Sequence, residues 1–167
     1  MAPALIAMAT DELLHDADPE SPDFWAPVHA IQLLGELAAE EAVEPLLPLF
    51  NRDDDSLSES LEEAFGHIGR PALPALRGVV FDRGRAVFTR THAIEALTKL
   101  VEYHPELRLE VIAVLVDRLD PAESQTPDDE TLAAWVVCSL LDVRAMEALP
   151  DRACVLRRRH CRPTAGG

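Results

Sequence analysis

Cysteine is scarce in this sequence, and its three cysteines do not form a close pair. They are Cys138, Cys154 and Cys161. Because this set is odd and sparse, it does not predict a disulfide framework, and a reducing compartment is expected. Cys138 lies in an apolar stretch, and we expect it to be a small core residue. Cys154, His160 and Cys161 lie close together, but a structural zinc needs four ligands and no fourth is nearby.

Basic residues are also few, and they are unevenly distributed. The chain has 15 lysines and arginines against 30 aspartates and glutamates. All the acids lie at or before Asp151, whereas residues 152–167 contain arginines and no acid. Because an acidic body repels phosphate groups, the sequence argues against nucleic-acid binding by residues 1–151 and against docking on anionic membranes. It is compatible with a basic protein partner.

Long apolar runs are missing, although 48% of the residues are apolar. No run approaches the length of a membrane span. The first residues lack the basic start of a secretory signal, and Thr10, Asp11 and Glu12 interrupt their apolar run. The apolar share is enough for a sizeable core. We therefore expect one soluble, cytoplasmic domain over residues 1–151, followed by a basic tail at 152–167.

One helical pattern recurs four times along the chain. It covers residues 29–37, 60–68, 92–100 and 132–140. The aligned apolar centres are Leu34, Phe65, Leu97 and Val137. An apolar residue lies four positions before each centre and an aliphatic residue three positions after it, which is one buried face of an amphipathic helix. Gly35 and Gly66 follow the first two centres, where a small residue would let two helices pack closely.

A second helical pattern follows each copy of the first. It covers residues 42–50, 71–80, 104–119 and 145–150. A proline near each start marks the first turn of a helix, because the N–H that proline lacks would be unpaired there. These prolines are Pro45, Pro74, Pro105 and Pro150. Pro48 either lies in the same first turn as Pro45 or shortens that helix.

Together these patterns predict an all-α fold of about nine helices. A leading second-pattern helix begins at Pro3, and four helix pairs follow it. Thr126 with Pro127 predicts the start of the last first-pattern helix. The centres recur every 31 to about 40 residues with two helices per unit, which is typical of HEAT-like α–α superhelices, or solenoids.

Two segments carry this pattern most clearly, AIQLLGELAAEEAVEPLL and LEEAFGHIGRPALPAL. Their order of helix, glycine, helix, turn and Ala-x-x-Pro resembles the phycobilisome-lyase HEAT-like repeats, over roughly residues 3–150. The resemblance implies a curved array of helix pairs. It also leaves open a bilin lyase-like or chaperone-like accessory role. It implies no functional residues, because the sequence contains no active-site motif of that family.

Metal-dependent chemistry finds little support in the histidines. No His-Glu dipeptide occurs, and a di-iron hydroxylase resembling deoxyhypusine hydroxylase would need such pairs. His29 and His92 share one repeat position, but two solenoid repeats would separate them by roughly 20 Å, whereas metal–nitrogen bonds are about 2 Å long. We therefore predict no catalytic residue, no cofactor and no metal in this chain.

An acidic stretch near the middle of the chain has the composition of a calcium ligand set. It consists of Asp53, Asp54, Asp55, Glu59, Glu62 and Glu63. Its spacing does not match an EF-hand loop, and no glycine permits the sharp turn. A solvated loop followed by an acidic first helical turn explains these residues better, because acids favour helix N-termini.

The tail interrupts the repeat. The last second-pattern helix should continue beyond Pro150, but residues 152–167 lose all acids and gather arginines instead. One hypothesis is that this tail is a non-native end produced by a late frame change. The alternative is a genuine basic tail, which could bind nucleic acid or the protein's own acidic body.

The predicted function follows from the predicted shape. A solenoid presents an extended concave surface, formed mainly by its second helices. Polar residues of those helices make up the predicted partner-binding surface: Glu41, Glu44, Arg77, Glu106, Glu110 and Asp117. Such a surface suits a basic or mixed-charge protein segment, so we predict a non-catalytic protein–protein interaction module or scaffold. The alternatives are the bilin-related role and nucleic-acid binding through the tail.

The ends of the predicted array and its tryptophans also bear on partners. The chain begins and finishes on partial repeats, and apolar surface exposed there would favour a homodimer. Trp25 and Trp135 lie near the starts of their helices. Aromatic residues at such places are usually core or inter-repeat contacts and only in the minority of cases binding hot spots.

Overall fold

The described part of the chain consists of helices joined by loops. A computed structural model describes residues 1–52, 54–119 and 126–144, and these residues contain nine α-helices and no β-strand. The helices are α1 (Ala2–Ala9), α2 (Glu12–His15), α3 (Ala26–Glu36), α4 (Val43–Leu46), α5 (Asp55–Ile68), α6 (Ala72–Phe81), α7 (Val87–Tyr103), α8 (Arg108–Arg118) and α9 (Pro127–Asp142). None of them has the length and apolar character that a membrane span requires.

The all-α prediction is confirmed for these residues, with two differences in the set of helices. The short helix α2 was not predicted; the Asp11 side chain caps it by accepting a hydrogen bond from the Leu13 N–H. The predicted helix at 145–150 and the tail at 152–167 lie outside the described residues. Short 3₁₀ helices occur at Pro22–Trp25, Glu40–Ala42, Leu47–Asn51 and Pro105–Leu107.

The four first-pattern helices, α3, α5, α7 and α9, pack each against the next. Leu34, Phe65 and Leu97 are fully buried, as their alignment predicts. The fourth centre is wrong by one residue, because Val136 is buried and Val137 only partly so. The prediction is also wrong for Leu37, which is exposed because α3 ends at Glu36 and leaves Leu37 at the cap.

Gly35 and Gly66 bring neighbouring first-pattern helices into close contact. A β-carbon on Gly35 of α3 would lie 2.7 Å from the Ala64 Cα of α5. A β-carbon on Gly66 of α5 would lie 2.8 Å from the Lys99 Cβ of α7. Neither position has room for a larger side chain, so the prediction of a close-packing slot is confirmed for both glycines.

The second-pattern helices lie alongside this row. Helix α6 packs mainly on α7, the first-pattern helix that follows it, and α1 packs in the same way on α3. Helix α4 is only four residues long and continues as a 3₁₀ helix over Leu47–Asn51. Pro48 therefore shortens this helix and does not lie in its first turn. A residue without an N–H cannot donate to the α-helical carbonyl one turn earlier.

Side-chain caps set the starts of two first-pattern helices. The Asp54 carboxylate accepts a hydrogen bond from the Leu57 N–H at 3.0 Å, so α5 starts at Asp55, inside the segment predicted as a loop. At α9 the Thr126 hydroxyl accepts from the Asp129 N–H, and the Asp129 side chain accepts from the Thr126 N–H. This reciprocal pair is a capping box, and it confirms the predicted helix start.

Three charged side chains are buried where α7, α8 and α9 meet. Asp129 Oδ1 lies 2.5 Å from an Arg118 terminal nitrogen and 3.7 Å from one of Arg90. All three side chains are at most 3% exposed. Arg90 Nε also donates to the Val80 carbonyl at 3.0 Å. Burial, and then the nearby charge of Arg118, lower the pKa of Arg90. The helices are thus joined by a buried ionic cluster as well as by apolar contacts.

Cys138 corrects a further expectation. It is exposed and not a core residue. The buried face of α9 is formed by Leu132, Ala133, Val136 and Leu140, which pack towards α7 and α8. Cys138 lies between these positions on the opposite side of the helix, so its apolar neighbours in sequence did not predict its environment.

Candidate functional site

An acid–aromatic groove runs over the surface of α7. We use this name for the cavity lined by Asp55, Glu59, Glu62, Phe88, Thr91, His92, Glu95 and Trp135, which has a volume of about 470 Å³. Helix α7 contributes positions 88, 91, 92 and 95, which recur at helical spacing and form one face. Helices α5 and α9 both pack against α7, and they supply the remaining side chains.

Carboxylates dominate the polar part of this groove. Asp55, Glu59 and Glu62 follow one another along α5 at spacings of four and three residues, which places them on one helix face. Glu95 adds a fourth carboxylate from α7 and is partly buried. Burial, and then repulsion from Glu62 and Asp142, raise the pKa of Glu95. The groove therefore concentrates negative charge, and a bound cation would relieve that repulsion.

Two large aromatic side chains in the groove are left open to solvent. Phe88 is 69% exposed and Trp135 is 42% exposed. Both also line the groove with the carboxylates. Two exposed aromatic rings that line one cavity form an apolar patch, and such patches are typical of interaction sites. A face of Phe or Trp next to carboxylates has the chemistry that attracts an arginine or lysine side chain through cation–π and ionic contacts.

His92 links the two sides of the groove. Its Nδ1 donates a hydrogen bond to Glu62 Oε1 at 2.8 Å, and its ring is parallel to that of Phe50 with centroids 6.1 Å apart. The hydrogen bond to Glu62 raises the pKa of His92, with burial opposing it and Asp55 and Glu95 adding further attraction. The hydrogen bond between His92 and Glu62 thus joins α7 to α5.

Replacing His92 by glutamine should remove a pH-dependent part of the stability. Because its pKa is raised on folding, His92 contributes fully below its unfolded value, about 6.5, and the contribution disappears as pH rises through the folded pKa. As pH rises through this window, the free energy of unfolding of the natural chain should fall by up to about 1 kcal/mol more than that of H92Q. Partly exposed ion pairs are worth little more than this. Urea unfolding at several pH values measures the difference.

His29 offers the matched control for this substitution. It occupies the same repeat position, but its Nδ1 faces the Gln32 side-chain oxygen at 3.3 Å and no carboxylate. H29Q therefore controls for the loss of an imidazole ring at this repeat position without the loss of the Glu62 pair. The same slope in H92Q and in the natural chain would show that the His92–Glu62 pair does not act in this way.

A second polar cluster lies farther along α5 and α7, and its polar side chains pair with one another. Glu63 forms an ion pair with Lys99 and accepts a hydrogen bond from the Tyr103 hydroxyl at 2.6 Å. Burial acts to raise the pKa of Glu63, but the hydrogen bonds from Lys99 and Tyr103 outweigh it and lower that pKa. The Tyr103 ring stacks on His67 with centroids 3.9 Å apart. These contacts hold α5 and α7 together, and none of the three residues Glu63, Lys99 and Tyr103 lines the acid–aromatic groove.

The predicted partner-binding residues lie on a different part of the surface. Glu41, Glu44, Arg77, Glu106, Glu110 and Asp117 are all exposed, and none of them lines the acid–aromatic groove. Glu110 pairs with Arg70 at 2.9 Å, and the Arg77 guanidinium lies over the Phe81 ring at 5.7 Å. Whether a partner binds there stays a prediction.

The residues singled out for metal binding are not gathered into a metal site in the described ranges. There, no group of three or more His, Cys, Asp or Glu side chains could hold a metal ion. Glu59 and Glu62 line the groove, whereas Glu63 belongs to the Lys99 cluster. Asp53, Cys154, His160 and Cys161 lie outside the described residues.

Sequence reasoning missed the groove, although two of its signals were present. Trp135 and Phe88 both lie outside the buried stripes of their helices. An aromatic residue in such a position is a signal of an exposed ring. Asp55, Glu59 and Glu62 share one face of α5 by their spacing alone. What the sequence could not show is that α5, α7 and α9 bring these faces together.

Comparison with known proteins adds no assignment. The chain matches no family model, no curated protein and no solved structure. The resemblance to phycobilisome-lyase HEAT-like repeats therefore stays a prediction.

Proposed function

We propose that this chain is a non-catalytic protein-interaction module, a HEAT-like α-solenoid that binds a basic segment of a partner protein in the acid–aromatic groove. The groove is the observation that carries this proposal. It combines four exposed or partly exposed carboxylates with two solvent-open aromatic rings. Arginine is the side chain best matched to such a surface, because its planar cation both pairs with carboxylates and stacks on aromatic faces.

Three features support the solenoid arrangement. Each first-pattern helix packs on the next one in the chain, from α3 through α5 and α7 to α9. The close contacts at Gly35 and Gly66 recur at the same repeat position. Second-pattern helices α1 and α6 pack in the same manner on the helices that follow them. In a solenoid each repeat contacts mainly its neighbours, and the extended surface that results is used for binding.

The charge of the groove favours cations over the other ligand classes. Its carboxylates repel the phosphates of nucleic acid. They also repel a bilin, whose propionate groups are negatively charged at neutral pH. A basic protein segment gains both from the carboxylates and from the aromatic faces, and electrostatic attraction of this kind also speeds its association.

A double substitution in the groove should weaken such binding about tenfold. E59Q/W135A removes an ion pair worth about 0.2–1 kcal/mol and a cation–π contact worth about 0.5–2 kcal/mol, and about 1.4 kcal/mol corresponds to tenfold in affinity. Fluorescence anisotropy of a short fluorescein-labelled peptide of arginine and leucine measures the dissociation constant. A control peptide carries uncharged citrulline in place of arginine. Its affinity for the natural chain should be no higher than the affinity of the arginine–leucine peptide for E59Q/W135A.

The matched control changes the same residue types elsewhere on the surface. E44Q/W25A removes one glutamate of the predicted second-helix surface and a tryptophan that is 45% exposed, close to the 42% of Trp135. It should leave the affinity within about twofold, which is less than about 0.5 kcal/mol. Equal losses in both variants would mean that the peptide reads only the net charge of the chain, and the groove would lose its assigned role.

A further inference from the structure

We propose that the chain's own basic tail, residues 152–167, docks in the acid–aromatic groove and competes there with the partner. This inference rests on the proposed function, because it assigns the same groove a second, intramolecular ligand. It commits to one occupant, a segment of this chain that follows α9.

The tail and the groove have opposite charges. The tail contains Arg152, Arg157, Arg158, Arg159 and Arg162 and no acid. The groove contains four carboxylates with His92 as its only basic side chain. Residues 1–151 are acidic as a whole, and the excess of positive charge is in the tail. Charges of this kind attract one another over roughly 10 Å at moderate salt.

The tail starts close enough to reach the groove. Trp135 lies in the groove and α9 ends at Asp142, so the end of the helix is within about 10 Å of that residue along the axis. About a dozen residues separate Arg144 from the run Arg157–Arg159. With residues 145–150 as the predicted helix and the others extended, they span up to roughly 30 Å. This span exceeds the distance from the end of α9 back to Trp135, so the groove is within the reach of the tail arginines.

The aromatic rings provide a reason for docking at this place on an acidic surface. Trp135 stands on the same helix that leads into the tail, and Phe88 lies across the groove on α7. An arginine that reaches them finds two ring faces together with four carboxylates, whereas an acidic position without a ring offers only an exposed ion pair of small value. A tethered ligand also acts at a high effective concentration.

The test uses the full chain with its tail arginines present or neutralised. In a W25F background Trp135 is the remaining tryptophan, so acrylamide quenching reports its accessibility directly. R157Q/R158Q/R159Q should raise the quenching constant, because the indole loses its cover. It should also tighten binding of the arginine–leucine peptide about threefold to tenfold, since an intramolecular competitor is weakened. In the E59Q/W135A variant the same tail substitutions should leave peptide affinity unchanged.

Each result decides the proposal. An unchanged quenching constant together with an unchanged peptide affinity would overturn it. A quenching constant that falls with protein concentration in the micromolar range would also overturn it, because the ligand would then be the tail of a second copy. Peptide binding by neither form would refute the proposed function, while the quenching comparison would still decide whether the tail covers Trp135.

Discussion

D129A is expected to lower the free energy of unfolding by about 3–5 kcal/mol, the cost of leaving buried charge without its partner. Asp129 is 1% exposed and supplies the carboxylate for both Arg90 and Arg118. Its side chain also accepts the N–H and hydroxyl of Thr126 at the start of α9, and losing a cap of this kind adds about 1 kcal/mol. Urea unfolding followed by far-UV circular dichroism measures the loss.

The neighbouring residue provides the control. Asp128 precedes Asp129 in the first turn of α9 and is exposed. D128A removes an exposed carboxylate whose interaction with the helix dipole is worth about 0.3–1 kcal/mol, together with the smallest of the charge effects on Arg90. D129N retains a capping oxygen while removing the charge, so it should still lose most of what D129A loses. A D129A effect no larger than that of D128A would show that the two arginines do not depend on this carboxylate.

G35V should destabilise the chain by about 2–3 kcal/mol, in the upper part of the range for overpacked cores. The new β-carbon would lie 2.7 Å from the Ala64 Cα, a backbone atom that moves only if α5 moves with it. Valine and glycine have similar, poor helix propensities, so little of the effect comes from the helix itself. A thermal melt gives the change as a lower midpoint temperature.

Gly78 tests whether the helix contact is responsible. It lies inside α6, and a β-carbon there would meet no atom within 4 Å. G78V should therefore change the stability by no more than about 0.5 kcal/mol. If G35V and G78V shift the midpoint equally, the α3–α5 contact does not require glycine, and the regular spacing of the helices has another cause.

The helices were predictable because their signals are local. Apolar residues at helical spacing, prolines in first turns and the Thr126 cap each act within one or two helical turns. They predicted the helices around Leu34, Phe65 and Leu97. Errors arose where a helix end or a helix face depends on its neighbours. Leu37 falls at a cap, and Cys138 lies on the side of α9 away from α7, which no local pattern shows.

The candidate site was harder to predict, because it is formed by three helices. Glu59 and Glu62 were read as a solvated helix face and Trp135 as a packing residue, and each reading is reasonable for one helix alone. The buried ionic cluster was missed for a similar reason. Arg90, Arg118 and Asp129 occupy core positions on three separate stripes, and only their meeting explains how those charges are tolerated.

The most direct test of the proposed function is to map where a basic peptide binds on the natural chain. Amide and indole chemical shifts of the ¹⁵N-labelled protein, followed during titration with the arginine–leucine peptide, locate the contact. We expect the largest changes at Phe88, His92, Glu95 and the Trp135 indole. Changes centred on Glu44, Arg77 and Glu110, or no saturable changes at all, would contradict the assignment of the acid–aromatic groove as the binding site.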